Sequence, residues 1–291
     1  MRFQFVEDHR KVFPIHRMCA LLEVSRSGYY AWRGRPPSER EMANEELYKE
    51  IKAAYDRAHE TYGSPRVYQE LKRRGIACSE NRVARLMRLR GLRARQTRTY
   101  KSTTRRNRAN PVAPNVLERN FVAKQPNRKW VLDITYIPTA EGWLYLAVVL
   151  DLYSRRVVGW AMSNRITADL TKGALMMAMQ HREVTPGLIH HSDQGSQYTD
   201  GDYQQRLKDC RIVASMNGVG TWYDNAPAES FFATLKSEWV HHRIYRTRQE
   251  ARADIFYYIE AFYNPRRLHS ALGYLSPVAY EELYHQRAGL A

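Results

Sequence analysis

Cysteine is scarce in this chain. The three present, Cys19, Cys78 and Cys210, are too few and too scattered for a disulfide framework or a four-ligand structural zinc site. His9 and His16 lie near Cys19, but no second cysteine is at hand to complete a tetrahedron. Long apolar runs are missing too, none approaching the roughly 18 residues a membrane span needs. The opening segment MRFQFVEDHRKVF mixes charge into its apolar residues and has no small-residue cleavage site. No membrane partner is expected, and the expected location is the cytoplasm. Internal repeats are also lacking, which excludes solenoids and propellers.

Acid is in short supply at the front of the chain. The net charge is +16, and residues 1–110 carry 26 Lys/Arg against 12 Asp/Glu, while the remainder is nearly balanced. Residues 88–108 hold nine basic residues and no acid. A cationic front of this kind points to a polyanion, because lysine and arginine near phosphates release condensed counterions.

The length of 291 residues favours two or three folded units. Residues 14–32 read as a short helix, a turn near Glu23 to Ser25, and a second helix capped by Ser25, which is helix-turn-helix spacing. Arg26, Ser27 and Tyr29 lie on that second helix, where Arg26 would reach phosphates or base edges; an ordinary helical hairpin fits equally well. Pro36 and Pro37 mark a linker over 34–40. Leu47, Ile51 and Tyr55, then Val67 and Leu71, then Val83, Leu86 and Leu89 fall at helical spacing and predict three helices. The last also carries Arg82, Arg85 and Arg88 as candidate DNA contacts.

Strand patterns begin after residue 115. Residues 129–137, 143–151 and 156–162 are rich in Val, Ile, Leu, Tyr and Trp, and a turn over 139–142 separates the first two. Helices over 167–181 and 203–209 then alternate with short strands over 188–191 and 211–215. Helices over 226–239 and 247–263 follow. The pattern predicts a mixed α/β sheet with flanking helices.

Three acids stand out. Asp133 interrupts an apolar strand, where burying a carboxylate is costly without a cationic partner or a metal. Asp193 follows the short strand LIHH in HHSDQGSQYTD, at a strand's carboxyl end, where α/β sheets place ligands; a plain turn aspartate is the simpler reading. Glu229 sits in the first turn of the helix beginning at YDNAPAES, where an acid also complements the helix dipole. Lys236 is seven residues on, two turns along the same face, where its cation would hold a DNA phosphate beside the acids; a solvated helix lysine is the plainer alternative. Together the carboxylates suit magnesium or manganese. Two such ions would activate an attacking hydroxyl and stabilise the leaving oxygen of a phosphodiester. Asp151, His190, His191 and Asp224 are nearby candidates for support, with strand-end, packing and capping roles as alternatives. Arg266, Arg267 and His269 follow a proline-terminated helix.

The segments WVLDITYIPT, LDLYSRRVVGW, HSDQGSQYT, YDNAPAESFFATLKSE and YNPRRLHSALGYLSP resemble the catalytic core of bacterial transposases of the insertion sequence three family, second reading frame product. LLEVSRSGYYAWRG and HETYGSPRVYQELKRRGIACSENRVARLMRLRGL resemble that family's helical front. The resemblance implies a ribonuclease-H-like, integrase-like fold and a DDE triad of Asp133, Asp193 and Glu229. Thirty-five residues lie between the last two acids, as the family motif requires. It divides the chain into a helix-turn-helix-like segment at 1–35, a helical DNA-binding domain at 44–95, a basic linker at 96–120 and a catalytic core with a helical extension at 121–291.

It further implies metal-dependent cleavage at the ends of an insertion sequence, followed by 3′-hydroxyl strand transfer into target double-stranded DNA. The ions would be two, magnesium or manganese. A first-frame protein, joined by frameshifting, and a homo-multimer on DNA are the implied partners. A ribonuclease-H-like nuclease without joining activity, and an inactive DNA-binding relic or regulator, are the alternatives. One departure is the loop SMNGVGTWYDN, which lacks the basic residues often found there.

Overall fold

The computed structural model describes residues 1–95, 113–217 and 225–289. Most of the basic run over 88–108, and with it most of the expected linker, lies outside them.

Three short helices open the chain: α1 (Arg2–His9), α2 (Ile15–Leu21) and α3 (Arg26–Arg33). They close around Val6, Met18, Cys19 and Tyr29, so Cys19 is a packing residue. The α2–α3 turn passes through Glu23 at φ 53°, and Ser25 caps α3 by accepting the Gly28 N–H at 3.0 Å. The Tyr29 hydroxyl ties α3 to α1 through Glu7 at 2.5 Å.

Helices α4 (Glu39–Arg57), α5 (Ser64–Arg73) and α6 (Glu80–Leu89) form the second group. The linker expected over 34–40 is shorter than the prolines suggested. Ser38 and Glu41 form a reciprocal capping box that starts α4 at Glu39. This helical group does not stand apart. Ile51, Val67, Leu71 and Val83 share one apolar cluster with Trp239, Phe262 and Leu268 from the other end of the chain. The Tyr62 hydroxyl donates to the Arg266 carbonyl at 3.1 Å and accepts the Leu268 N–H at 2.8 Å.

The sheet has five strands in the order β3-β2-β1-β4-β5. β1 (Lys129–Thr139), β2 (Gly142–Asp151) and β3 (Val157–Ser163) form an antiparallel meander; β4 (Ile189–Ser192) and β5 (Val213–Met216) continue it in parallel. This is the mixed, ribonuclease-H-like sheet expected from the sequence. Alternation divides its side chains. Trp130, Leu132, Ala147 and Val149 face α7 (Ala168–His181) and α8 (Gly201–Asp209). Val131, Ile137, Leu146 and Val148 face α9 (Ala226–Glu238) and α10 (Arg248–Tyr257). Gly159 lets α7 lie against β3: a Cβ there would stand 2.2 Å from the Ala174 carbonyl oxygen. The helix expected over 247–263 is α10 followed by a π-helical stretch, Tyr258–Tyr263. A last helix, α11 (Pro277–Arg287), buries Glu281 against the sheet's end. Among the described residues no helix is long and apolar enough to cross a membrane.

Candidate active site

Strand register brings the first two acids level. In the parallel pairing of β1 with β4, Val131 lies opposite His191. Two residues further on come Asp133, which keeps Val131's face of β1, and Asp193, one residue past the end of β4. That face is the one α9 packs on, and Glu229 occupies the first turn of α9. Asn225 fixes the approach: it precedes the helix, is buried, and its Nδ2 donates to the Leu132 carbonyl at 3.4 Å, one residue from Asp133.

Each aspartate is oriented by a backbone amide. Asp133 Oδ1 accepts the Ile134 N–H at 2.8 Å, and Asp193 Oδ1 accepts the Gly195 N–H at 2.8 Å in a tight turn. Burial, then the charges of Asp193 and Glu229, pushes the Asp133 carboxyl up to about 8; the Ile134 amide and Lys236 oppose the rise. Burial also raises Asp193 and Glu229. Lys236 is lowered by desolvation, with Asp133 pulling the other way. Its Nζ sits 4.4 Å from the centre of the Tyr136 ring.

The acids thus feel one another electrostatically. Among the described residues, however, no three His, Cys, Asp or Glu side chains stand close enough to enclose an ion. The donor set nonetheless fits a hard divalent cation: three carboxylates with oxygen ligands only, two of them pre-oriented. Asn225 Oδ1 is a buried acceptor with no donor among the described residues, a further sign of a site suited to a cation or its water.

The other candidates separate cleanly. Asp151 lies at the far end of β2, opposite Trp130, and accepts from the Asn127 N–H and the Tyr153 N–H, both at 2.7 Å. Burial raises its pKa to about 6, and its role is to fold the chain back on itself. His190 points to the other face, bonded to the Tyr203 hydroxyl at 2.6 Å, and burial lowers its pKa to about 3, so it is neutral. His191 bridges Ser215 Oγ at 2.8 Å and Asn217 Oδ1 at 2.6 Å, which fastens β4 to β5 beside Asp193. Arg267 is buried in a two-bond pair with Glu238, at 2.6 and 2.7 Å. Burial and the Arg267 charge drive His269 down to about 2. Arg266 lends its carbonyl to Tyr62. Asp224 and most of the loop before α9 lie outside the described residues.

Arg26 is exposed at the start of α3, and Arg85 and Arg88 are exposed on α6. Arg82 is half-buried, its Nε donating to Asn44 at 2.9 Å, so part of its guanidinium serves the fold. Sequence reasoning passed over a shallow cleft lined by Tyr136, Trp143 and Tyr145. These residues had been read only as strand formers. The signal was available: all three share one face of the β1–β2 hairpin, with Tyr136 opposite Tyr145.

Residues 123–221 and 229–283 match families described as integrase core domain, and residues 42–100 match an HTH-like domain. A 31 kDa protein of insertion element IS600 from Shigella sonnei, otherwise uncharacterised, is 47% identical over 271 residues, spanning 93% of this chain and all of its own length. The transposase InsF of insertion sequence IS3A from Escherichia coli K12 is 44% identical over 283 residues, 97% of this chain and 98% of that one. Among solved structures, a simian T-cell lymphotropic virus intasome aligns at 13% identity and a TM-score of 0.47, over 80% of this chain and 74% of that one.

Proposed function

This chain belongs to the insertion sequence three family of transposases, and from that premise we propose that Asp133, Asp193 and Glu229 form the metal-holding centre of its DNA cutting and joining reaction. The observation that supports this most strongly is the placement of Asp133 in β1 and of Asp193 one residue past the end of the parallel neighbour β4, beneath the start of the helix bearing Glu229. The three acids would hold two divalent ions, magnesium or manganese, which when bound polarise the scissile phosphate and the attacking oxygen.

The chain's own residues prepare this site. The Ile134 and Gly195 amides each hold one oxygen of an aspartate, and the second oxygen would serve the cation. Burial makes three like charges costly to hold together, so cation binding is strongly favoured over bare ionisation. Lys236 supplies a partly desolvated cation beside the acids, suited to a non-bridging phosphate oxygen. The reaction needs no covalent protein–DNA intermediate. A water, and then the freed 3′-hydroxyl, serves as the nucleophile.

The helical front would hold the DNA. Arg26, Arg85 and Arg88 are the exposed cations, with Arg82 contributing the part of its guanidinium not engaged by Asn44. The functional division follows 1–35, 44–95, 96–120 and 121–291, with the 44–95 unit packed on the core. Partners are double-stranded DNA at the element ends and target, further copies of this chain, and a first-frame protein that recognises the terminal repeats.

The test is incubation of purified protein with magnesium and duplexes carrying the element's terminal repeats, followed by separation of cut and joined strands. Joined product is expected from the native chain and none from Asp133→Asn, Asp193→Asn or Glu229→Gln. Cutting without joining would favour a simple nuclease, and unchanged activity in all three variants would refute the triad.

A further inference from the structure

The cleft lined by Tyr136, Trp143 and Tyr145 plays no part in the metal chemistry; Tyr136 shares β1 with Asp133, but alternation turns the two side chains to opposite faces of the sheet. Trp143 is 49% exposed and Tyr136 is 38% exposed, near the turn of the hairpin. Their rings meet edge to face, centroids 4.8 Å apart and planes at 73°. An exposed tryptophan and tyrosine on a strand end gain little for folding, because water still reaches their faces. Tyr136 is three residues beyond Asp133, about 10 Å along an extended strand.

Charge narrows the occupant. Lys236 Nζ lies over the Tyr136 ring, so a cation flanks the aromatic surface and joins it to the acidic centre. Arg248 donates from Nε to the Trp143 carbonyl at 3.1 Å, and its backbone N–H is held by Glu141 at 2.9 Å, which fixes the hairpin end. An aromatic surface beside Lys236, the cation that also acts on Asp133 from the other face of the sheet, matches a strand of nucleic acid, with bases on the rings and phosphates on the cation. It does not match a paired duplex, whose bases hide their faces in the stack.

We propose that Trp143, backed by Tyr136 and Tyr145, is a stacking site for an unpaired DNA base whose strand passes from the acidic centre by way of Lys236, round the edge of β1 that β4 leaves unpaired beyond Val131. It rests on the reading of that centre as the DNA-processing site. Every base has a π-face, so the contact is tolerant of sequence. It would hold open the strand end while the acids act.

The test uses the full-length protein, without divalent metal, and three fluorescein-labelled probes: dT10, an abasic ten-mer with the same phosphates, and a ten-base-pair duplex. Native protein should bind dT10 at least about fivefold more tightly than the abasic strand, since stacking each base contributes ~1 kcal/mol or more. Trp143→Ala should erase that difference while leaving abasic and duplex binding unchanged, and Trp143→Phe should keep most of it. Equal dT10 preference in Trp143→Ala and native protein would overturn the proposal. So would a uniform loss on all three probes with an unchanged melting temperature, which would mean a contact to the backbone. Without divalent metal no strand is cut or joined. The preference is therefore read without catalysis, and failure of the metal centre would appear only in the joining assay.

Discussion

Glu238 and Arg267 make a sharp test of how the core is held. Their side chains are 6% and 5% exposed, and two hydrogen bonds of 2.6 and 2.7 Å join them. Arg66 of α5, 24% exposed, reaches the same carboxylate at 3.2 Å. Glu238 ends α9, so with Arg66 this pair pins both the docked helical group and the helix that carries Glu229. Glu238→Ala leaves a guanidinium buried with no counter-charge, and breaking a buried pair in this way costs ~3–5 kcal/mol. At roughly 2–4 °C per kcal/mol for a chain of this size class, the melting temperature should fall by about 6–20 °C. Replacing both partners removes the uncompensated charge, so Glu238→Leu with Arg267→Met should recover more than half of the loss. Arg66 can turn to solvent in that double variant. Thermal unfolding followed by circular dichroism reads both. A Glu238→Ala shift under about 2 °C, or a double variant no better than the single, would refute the reasoning.

Gly159→Ala should destabilise by ~1–3 kcal/mol, because its Cβ would meet the Ala174 backbone of α7, as chemical denaturation would reveal. Glu281→Gln should destabilise at neutral pH. Burial alone would raise the Glu281 carboxyl, but Arg182, Ser154 and Arg156 hold it below its ordinary 4.5. A depressed carboxylate stabilises above its unfolded pKa and loses that contribution as pH falls through the folded one. The gap between native and Glu281→Gln should therefore be full at pH 7 and shrink below pH 4.5, as melting curves across that range would record. Arg85→Ala with Arg88→Ala should lower the salt dependence of duplex binding, measured as the slope of log affinity against log salt, by ~0.9 per lost phosphate contact.

Much of the catalytic half was legible because its elements follow local rules. The three meander strands announce themselves by β-branched and aromatic runs, and α9 by its proline and its periodic apolar face. Asp133 was conspicuous because a carboxylate inside an apolar strand is physically expensive. Asp193 was not, since nothing in a polar turn marks one aspartate over another; only the register of β4 against β1 raises it to the level of Asp133. Glu229 could equally have been a helix-dipole partner, and spacing alone could not choose.

What escaped the sequence depends on distance. The pairing of Glu238 with Arg267 and Arg66 joins three separate helices or turns, and no local pattern encodes it. The same holds for Glu281 with Arg182 and Arg156. The early start of α4 was hidden by two prolines that drew attention from the Ser38–Glu41 capping box. The docking of the helical group on the core was missed because apolar helix faces do not state their partner. Arg82 looked like its neighbours on α6 until Asn44 was seen to take its Nε.

The most direct test of the triad is a crystal structure of this chain grown with manganese, collected at a wavelength where manganese scatters anomalously. Anomalous peaks in contact with the carboxylates of Asp133, Asp193 and Glu229, absent from Asp133→Asn crystals grown in parallel, are the predicted result. Peaks elsewhere, or none between these acids at millimolar manganese, would contradict it.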